Sequence, residues 1–479
     1  MADITTVNKF ETQKDKNINV SLNYILFVLF LGVFMMGLDL FIFSPALVTI
    51  VTYFKTSYNW VTWTIMIYVL ITTAIMPVSG KLADIFGRKK IYIIGISLFT
   101  IGSFLCSLSW DIYSLVVFRS IQAIGGGIIV PTALSAMSVY APKDKQGKTL
   151  GVLIAGSSLA SIVGPNVGGY LIENFGWRSI FYINIPIGII TILLALKFKE
   201  NSSSQKIHID IIGSLLLIGS IGSMVLGLIG IETMPFTNIN VFPYFLLAII
   251  LLVILIYWES NTVEPILNIP LLSQGRILAL NIGFLLTFAA STTVIIFIPT
   301  FVQLVLSLGI AVSGSILTPI SVAVLIMSII GGILADKYGT KLLLIASTLI
   351  NALGFFLLTN SANNYLSLIL ILIIIGAGVG MASSAFPVAL FAIVPEEEKG
   401  TSVAVLKTFS GIGTILAPII GGYYLTNAAN HAITINSAFN TIFYISFLLL
   451  ILTGIILVAI FIIPKRNPIQ DNPDLSTNL

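Results

Sequence analysis

From residue 23 to residue 463 the chain alternates long apolar runs with short polar breaks. Most runs reach the ~18–20 residues that an α-helix needs to cross a hydrocarbon core of ~30 Å. Composition agrees: 57% of the residues are hydrophobic and only 9% charged, where a soluble protein has roughly 45–50% and about 25%. Fourteen spans are read, at roughly 23–50, 60–79, 91–109, 112–140, 149–172, 179–197, 211–231, 241–258, 277–306, 312–335, 342–359, 364–394, 401–425 and 438–463. The first 22 residues are polar, and the run after them exceeds a signal core of about 7–15 residues. The first span is therefore expected to insert as an anchor.

Several classes are disfavoured at once. Cys106 is the single cysteine, so an internal disulfide or a cysteine metal site is not expected. His208 and His431 lie far apart. No nucleotide loop, nucleophile–base set or metal cluster is visible, so an enzyme is not expected. The net charge of +4 comes from residues scattered over many loops, which gives no nucleic-acid footprint.

The basic residues test the topology. With the N-terminus in the cytoplasm, only Lys55 and Arg178 of the 23 lysines and arginines fall outside. Arg119 and Lys407 fall within spans, and all others, Arg88, Lys89 and Lys90 among them, fall inside. This is the bias of the positive-inside rule, and it places both termini in the cytoplasm.

The chain also repeats itself. "GKLADIFGRKK" at 80–90 matches "GILADKYGTK" at 332–341, and "SIVGPNVGGY" at 161–170 matches "TILAPIIGGY" at 414–423. The two offsets are nearly equal, as expected for related halves about an axis along the membrane normal. The expected architecture is an all-α integral membrane protein with 14 transmembrane helices: two pseudo-symmetric six-helix bundles plus two inserted helices. The expected divisions are a cytoplasmic tail at 1–22, a first bundle at 23–199, a linker with two additional helices at 200–260, a second bundle at 261–465 and a cytoplasmic tail at 466–479. "EPILNIPLL" at 264–272 reads as an interfacial lead into the second bundle.

These motifs resemble those of the major facilitator superfamily. "GKLADIFGRKK" is similar to its cytoplasmic loop signature, "RSIQAIGGG" at 119–127 to its fourth-helix motif, and "GSSLASIVGPNVGGY" at 156–170 to its antiporter motif. "GWRSIFYINIPIG" at 176–188 and "LD" at 38–39 resemble the fourteen-span drug:proton antiporter branch, the multidrug efflux transporters. Position 123 holds alanine where the fourth-helix motif usually has glycine, and the first-helix stretch reads "LDLFIFSPAL".

The resemblance implies a gating loop formed by Gly80, Asp84, Gly87, Arg88 and Lys89, with Asp336 and Lys341 as a weaker second copy. The glycines are expected to turn the chain, and Asp84 to accept hydrogen bonds. Arg88 and Lys89 would reach an acid or carbonyls across the bundle interface. The structural alternative is a topology anchor. Gly156, Gly164, Pro165, Gly168 and Gly169 would seal the bundles on the outer side, or simply pack.

By these spans Asp39 is the only acid inside a membrane segment, where such groups face a cavity or a partner. Helix rise puts it about 22 Å from the cytoplasmic side and Arg119 about 18 Å. Helices one and four neighbour each other in the superfamily, so an Asp39–Arg119 pair is expected. It is read as the proton-coupling site, with a fixed ion pair joining two helices as the alternative. Trp63, Tyr68, Gln122, Asn166, Phe288 and Lys407 are candidate lining residues of a substrate cavity; the three aromatics could instead contact lipid or pack in the core, Gln122 and Asn166 could cap a neighbouring helix, and Lys407 could snorkel to the cytoplasmic edge, bind an anionic group or act as a counter-charge.

The expected function is proton-coupled antiport, exporting amphipathic drugs or toxic compounds across the cytoplasmic membrane of a prokaryote by alternating access. Export or flipping of an endogenous lipid or metabolite is the alternative, and a non-transporting sensor or scaffold the reading from another class. No cofactor is expected, the proton gradient being the energy source. The expected partners are an amphipathic small molecule, protons and membrane lipid, with the chain acting as a monomer.

Overall fold

The computed structural model of the protein describes residues 21–142, 145–197, 210–233, 238–262, 269–361, 364–394 and 399–462. Both tails and most of 264–272 lie outside these residues, as do His208 and the side chains of Asp84 and Asp336.

All regular structure among the described residues is helical. The first half contains α1 (Leu22–Ile42), α2 (Leu47–Phe54), α3 (Tyr58–Phe86), α4 (Arg88–Ser107), α5 (Ile112–Tyr140), α6 (Gln146–Phe175), α7 (Ser179–Tyr182) and α8 (Asn184–Ala195). A hairpin of α9 (Ile211–Thr233) and α10 (Phe242–Asn261) follows. The rest contains α11 (Ile269–Leu272), α12 (Gly275–Leu304), α13 (Ile310–Ser315), α14 (Leu317–Tyr338), α15 (Thr340–Ser361), α16 (Tyr365–Phe391), α17 (Lys399–Ala429) and α18 (Ile435–Ile462).

Twelve helical segments among the described residues are long and apolar enough to cross a membrane. The other two of the fourteen expected spans are shorter apolar helices there, Ser179–Ala195 and Ile212–Met224. The first still runs from one end of the bundle to the other. Arg178 Nε and Nη2 donate to the carbonyls of Ser107 and Ser109, at 3.0 and 2.7 Å, while Lys89 Nζ donates to Leu196 O at 2.8 Å. These contacts put residue 178 at the far end of α4 from residue 196.

The sequence repeat is also a packing repeat. In the first half α5 packs on α3 and α4, α1 on α6, and α8 on α1 and α4. In the second half α16 packs on α14 and α15, α12 on α17, and α18 on α12 and α15. Small details recur at offsets of 252–253 residues. Gly87 and Gly339 have φ of 99° and 84°, a backbone region that side-chain-bearing residues rarely adopt. Each is the single residue between two helices, so α3 passes into α4, and α14 into α15, with no further linker. Asp111 and Asn364 each close a capping box with the serine three residues on. Gly80, by contrast, lies inside α3 and turns nothing. The halves touch through α3 against α17 and α6 against α13 and α14, and the α9–α10 hairpin leans on α3 and α17.

Candidate functional site

Asp39 sits in the last turn of α1, just before the chain narrows into a 3-10 turn at Ser44–Ala46, with Pro45 at its start. Arg119 and Gln122 are three residues apart on α5 and share one face. Asn184 opens α8, and Ser103 and Cys106 share a face of α4. Five side chains of this set form one closed network. Arg119 Nη1 donates to Asp39 Oδ2 at 2.6 Å and to Gln122 Oε1 at 2.8 Å. Gln122 Nε2 and Asn184 Nδ2 donate to Asp39 Oδ1 at 2.8 and 2.9 Å. Asn184 also donates to Ser103 Oγ at 3.1 Å, and Ser103 donates to Phe181 O at 2.9 Å.

Aromatic rings wall the pair. The Arg119 guanidinium carbon lies 4.3 Å from the centroid of Tyr68, 5.0 Å from Phe43 and 5.7 Å from Phe181, within cation–π range. Asp39 and Arg119 are each 1% exposed, and Gln122 and Asn184 are fully buried. Desolvating two charges is expensive and must be offset by further hydrogen bonds; here the acid accepts three, while Arg119 Nε has no hydrogen-bond partner among the described residues. The network needs close helices. A Cβ on Gly102 would meet the main chain of Gln122, and one on Gly125 the main chain of Phe99. The same contacts recur in the second half at Gly354 against Ile375 and Gly378 against Asn351. There the positions matching Arg119 and Gln122 are Leu372 and Ile375, so the charge set occupies one half only.

The second feature is the interface between the halves. It is sealed at the end that carries Lys55 and Arg178. Gly169 lies against Ala311 and Gly314 against Pro165. Asn166 Nδ2 donates to Thr318 Oγ1 at 2.7 Å, and Ser321 Oγ to Ser161 O at 3.0 Å. Gln303 Nε2 donates to Pro45 O at 3.1 Å, Asn59 N to Thr426 Oγ1 at 3.2 Å and Ala311 N to Glu173 Oε2 at 2.7 Å. Among the described residues the halves part toward the end that carries Arg88 and Lys89. Gly151 and Ile154 lie on the α6 face that carries Ser161, Pro165 and Gly169. Nothing lies within 4 Å of a Cβ on Gly151, and Ile154 is 64% exposed. On α3, Thr73 touches Gly411 of α17, yet Gly80, two turns further along, has open space beside it.

The expected site residues distribute as follows. Asp39 and Arg119 meet as the spacing along their helices implied. Of the candidate lining residues, Gln122 is closed into the charge network and Tyr68 packs its ring on Arg119, both side chains at most 1% exposed. Gly156, Gly164 and Gly168 pack against Phe30, Phe41 and Ile42 of the first span, while Pro165 and Gly169 make the contact between halves. Asn166 bridges the halves. Trp63 stacks on Trp60, which meets Tyr113, and Trp60 and Tyr113 are exposed at helix ends, as in an interfacial aromatic belt. Phe288 packs on Phe284 in the second core. Arg88 Nε donates to Ser135 at 2.9 Å, and Lys89 to Leu196, both within the first half. Lys341 and Lys407 are exposed. Asn184 and Ser103 carried no assigned role in the sequence reading, although Asn184 lies within "GWRSIFYINIPIG"; an amide inside an apolar run was the available signal.

A family model described as Major Facilitator Superfamily matches residues 29–258 and 280–476. Multidrug transporter protein MdtP of Bacillus subtilis is 34% identical over 74% of this chain and 66% of its own. Multidrug resistance protein 3 of Bacillus subtilis is 30% identical, covering 88% of this chain and 82% of its own. Riboflavin transporter RibZ of Clostridioides difficile is 31% identical, covering 87% and 90%. Among solved structures, a nucleoside transporter, NupG, covers 90% of this chain and 100% of its own at 14% identity, with a TM-score of 0.66.

Proposed function

The chain belongs to the major facilitator superfamily, and on that premise we propose that it exports amphipathic drugs or toxic compounds by proton-coupled antiport. The observation that carries the reading is the occluded Asp39–Arg119 pair, whose carboxylate accepts three hydrogen bonds within one half of a molecule whose halves part at one end. The names of two relatives, a multidrug transporter and a multidrug resistance protein, support the substrate class.

In this reading fourteen helices cross a prokaryotic cytoplasmic membrane, with both termini inside. The first bundle spans 23–199 and the second 261–465, and the hairpin within 200–260 is inserted between them. The basic end faces the cytoplasm, so the present conformation is open inward. Substrate enters the parted cleft while Asp39 stays ionised on Arg119, Gln122 and Asn184. Opening of the opposite end exposes Asp39 to the outer solution, where it takes up a proton. Arg119 then keeps a hydrogen bond to Gln122 Oε1 and the faces of three rings, so its charge remains supported once the acid is neutral. Return to the inward state releases the proton. The loop around Gly87 serves as a latch that holds the outward state. No cofactor takes part, and the chain acts as a monomer.

Export of a metabolite is the second reading, favoured by the likeness to a riboflavin transporter. Everted vesicles test both. The proposal expects efflux of amphipathic dyes or antibiotics, from a panel that spans both charges, that collapses when the proton gradient is dissipated. Gradient-independent movement, or no movement of any amphipath, would overturn it.

A further inference from the structure

The exporter reading leaves open the charge its substrates carry, and Lys407 bears on that question. It lies on α17 one helical turn before Gly411, the residue that meets Thr73 of α3. Residues four apart share a helix face, so Lys407 points toward the seam between α3 and α17 just where the two helices part. Its neighbours on the other faces are committed elsewhere: Val405 is buried against Leu217 and Leu255, and Leu406 joins the second core. Lys407 itself is exposed. Its side chain makes no described ion pair or hydrogen bond; only its carbonyl is engaged, accepting from Ser410 Oγ at 2.8 Å. An exposed ammonium on that face, with no carboxylate among its described partners, is placed to receive an anion. The acid in the neighbouring half, Asp39, is closed away on Arg119.

The geometry points to Lys407 as an anion-binding residue at the mouth of the cleft, selecting amphipaths that carry a carboxylate, sulfonate or phosphate. This rests on the exporter reading for its consequence in transport, though not for binding itself. The anion could belong to a free substrate or to a lipid headgroup reaching in between α3 and α17, and the chemistry at Lys407 is the same for both.

The test uses the full chain in nanodiscs and two fluorescent probes of one skeleton: anilinonaphthalene sulfonate, an anion, and N-phenyl-1-naphthylamine, which lacks the sulfonate. Loss of one charge-assisted contact predicts about a tenfold weaker sulfonate affinity in Lys407→Gln, unchanged affinity for the amine, and recovery in Lys407→Arg. Equal losses for both probes, or none for either, would overturn the assignment. Discs of phosphatidylcholine are compared with discs containing phosphatidylglycerol. Competition by phosphatidylglycerol in the wild type but not in Lys407→Gln assigns the anion to a lipid headgroup, and its absence assigns it to free substrate. If neither probe is exported down a proton gradient while the binding difference stands, the exporter reading fails and the anion site does not.

Discussion

At Asp39 three donors converge on two oxygens, and none of those contacts reaches solvent. Asn351 shows what the opposite situation looks like. It occupies in the second half the place that Phe99 holds in the first, against a glycine of the next helix. It is fully buried, and both its Nδ2 and Oδ1 lack a hydrogen-bond partner among the described residues. A buried amide without partners costs about 1–3 kcal/mol. Asn351→Leu, which removes the amide on the same branched skeleton, is therefore expected to stabilise the protein by about that amount, less the cost of fitting the bulkier methyls beside Gly378. Thermal unfolding in detergent measures it, and a lowered midpoint would show the amide to be satisfied in the working protein. The contrast also marks how far residues could be read without a structure. Helix rise gives depth, which brought Asp39 and Arg119 to one level; it gives no azimuth. Cavity and core therefore stay undistinguished for Gln122 and Tyr68, and Asn184 carries no role on sequence grounds.

In the proposed transport cycle, helices carry the motion. The α6 face that packs on α13 and α14 at Pro165 and Gly169 stands exposed at Gly151 and Ile154, so a rigid helix closes one end and opens the other. The same division holds along α3, from Asn59 at the sealed end to Gly80 at the open one. A pair of cysteines at Asn59 and Thr426 is expected to link under a short thiol-specific reagent in the resting protein and to lose reactivity when substrate and an acid exterior favour the other conformation. Linking that stays constant under every condition would argue against alternating closure. The background is favourable, since Cys106 is the single cysteine and is buried. Helix order and the repeat were legible because apolar runs and the "GKLADIFGRKK" copy are local patterns. The break of 179–195 into α7 and α8 was not, because Asn184 and Pro186 interrupt the helix within a run whose hydropathy stays uniform.

On the scale of the whole molecule, the two halves share a packing plan but not a charge plan. Leu372 and Ile375 stand where Arg119 and Gln122 stand in the first half, and Lys407 supplies charge at the cleft in the second. One half holds a closed acid–base network, and the other offers an apolar core and a cation at the cleft mouth. Coupling then requires that movement of the halves change the solvent access of a single carboxylate. The direct measurement is proton release by purified protein in proteoliposomes when substrate is added, compared between wild type and Asp39→Asn. The account predicts release by the wild type, none by Asp39→Asn, and retained substrate binding and exchange in that variant. Proton release and pH-driven accumulation by Asp39→Asn at wild-type level would contradict it.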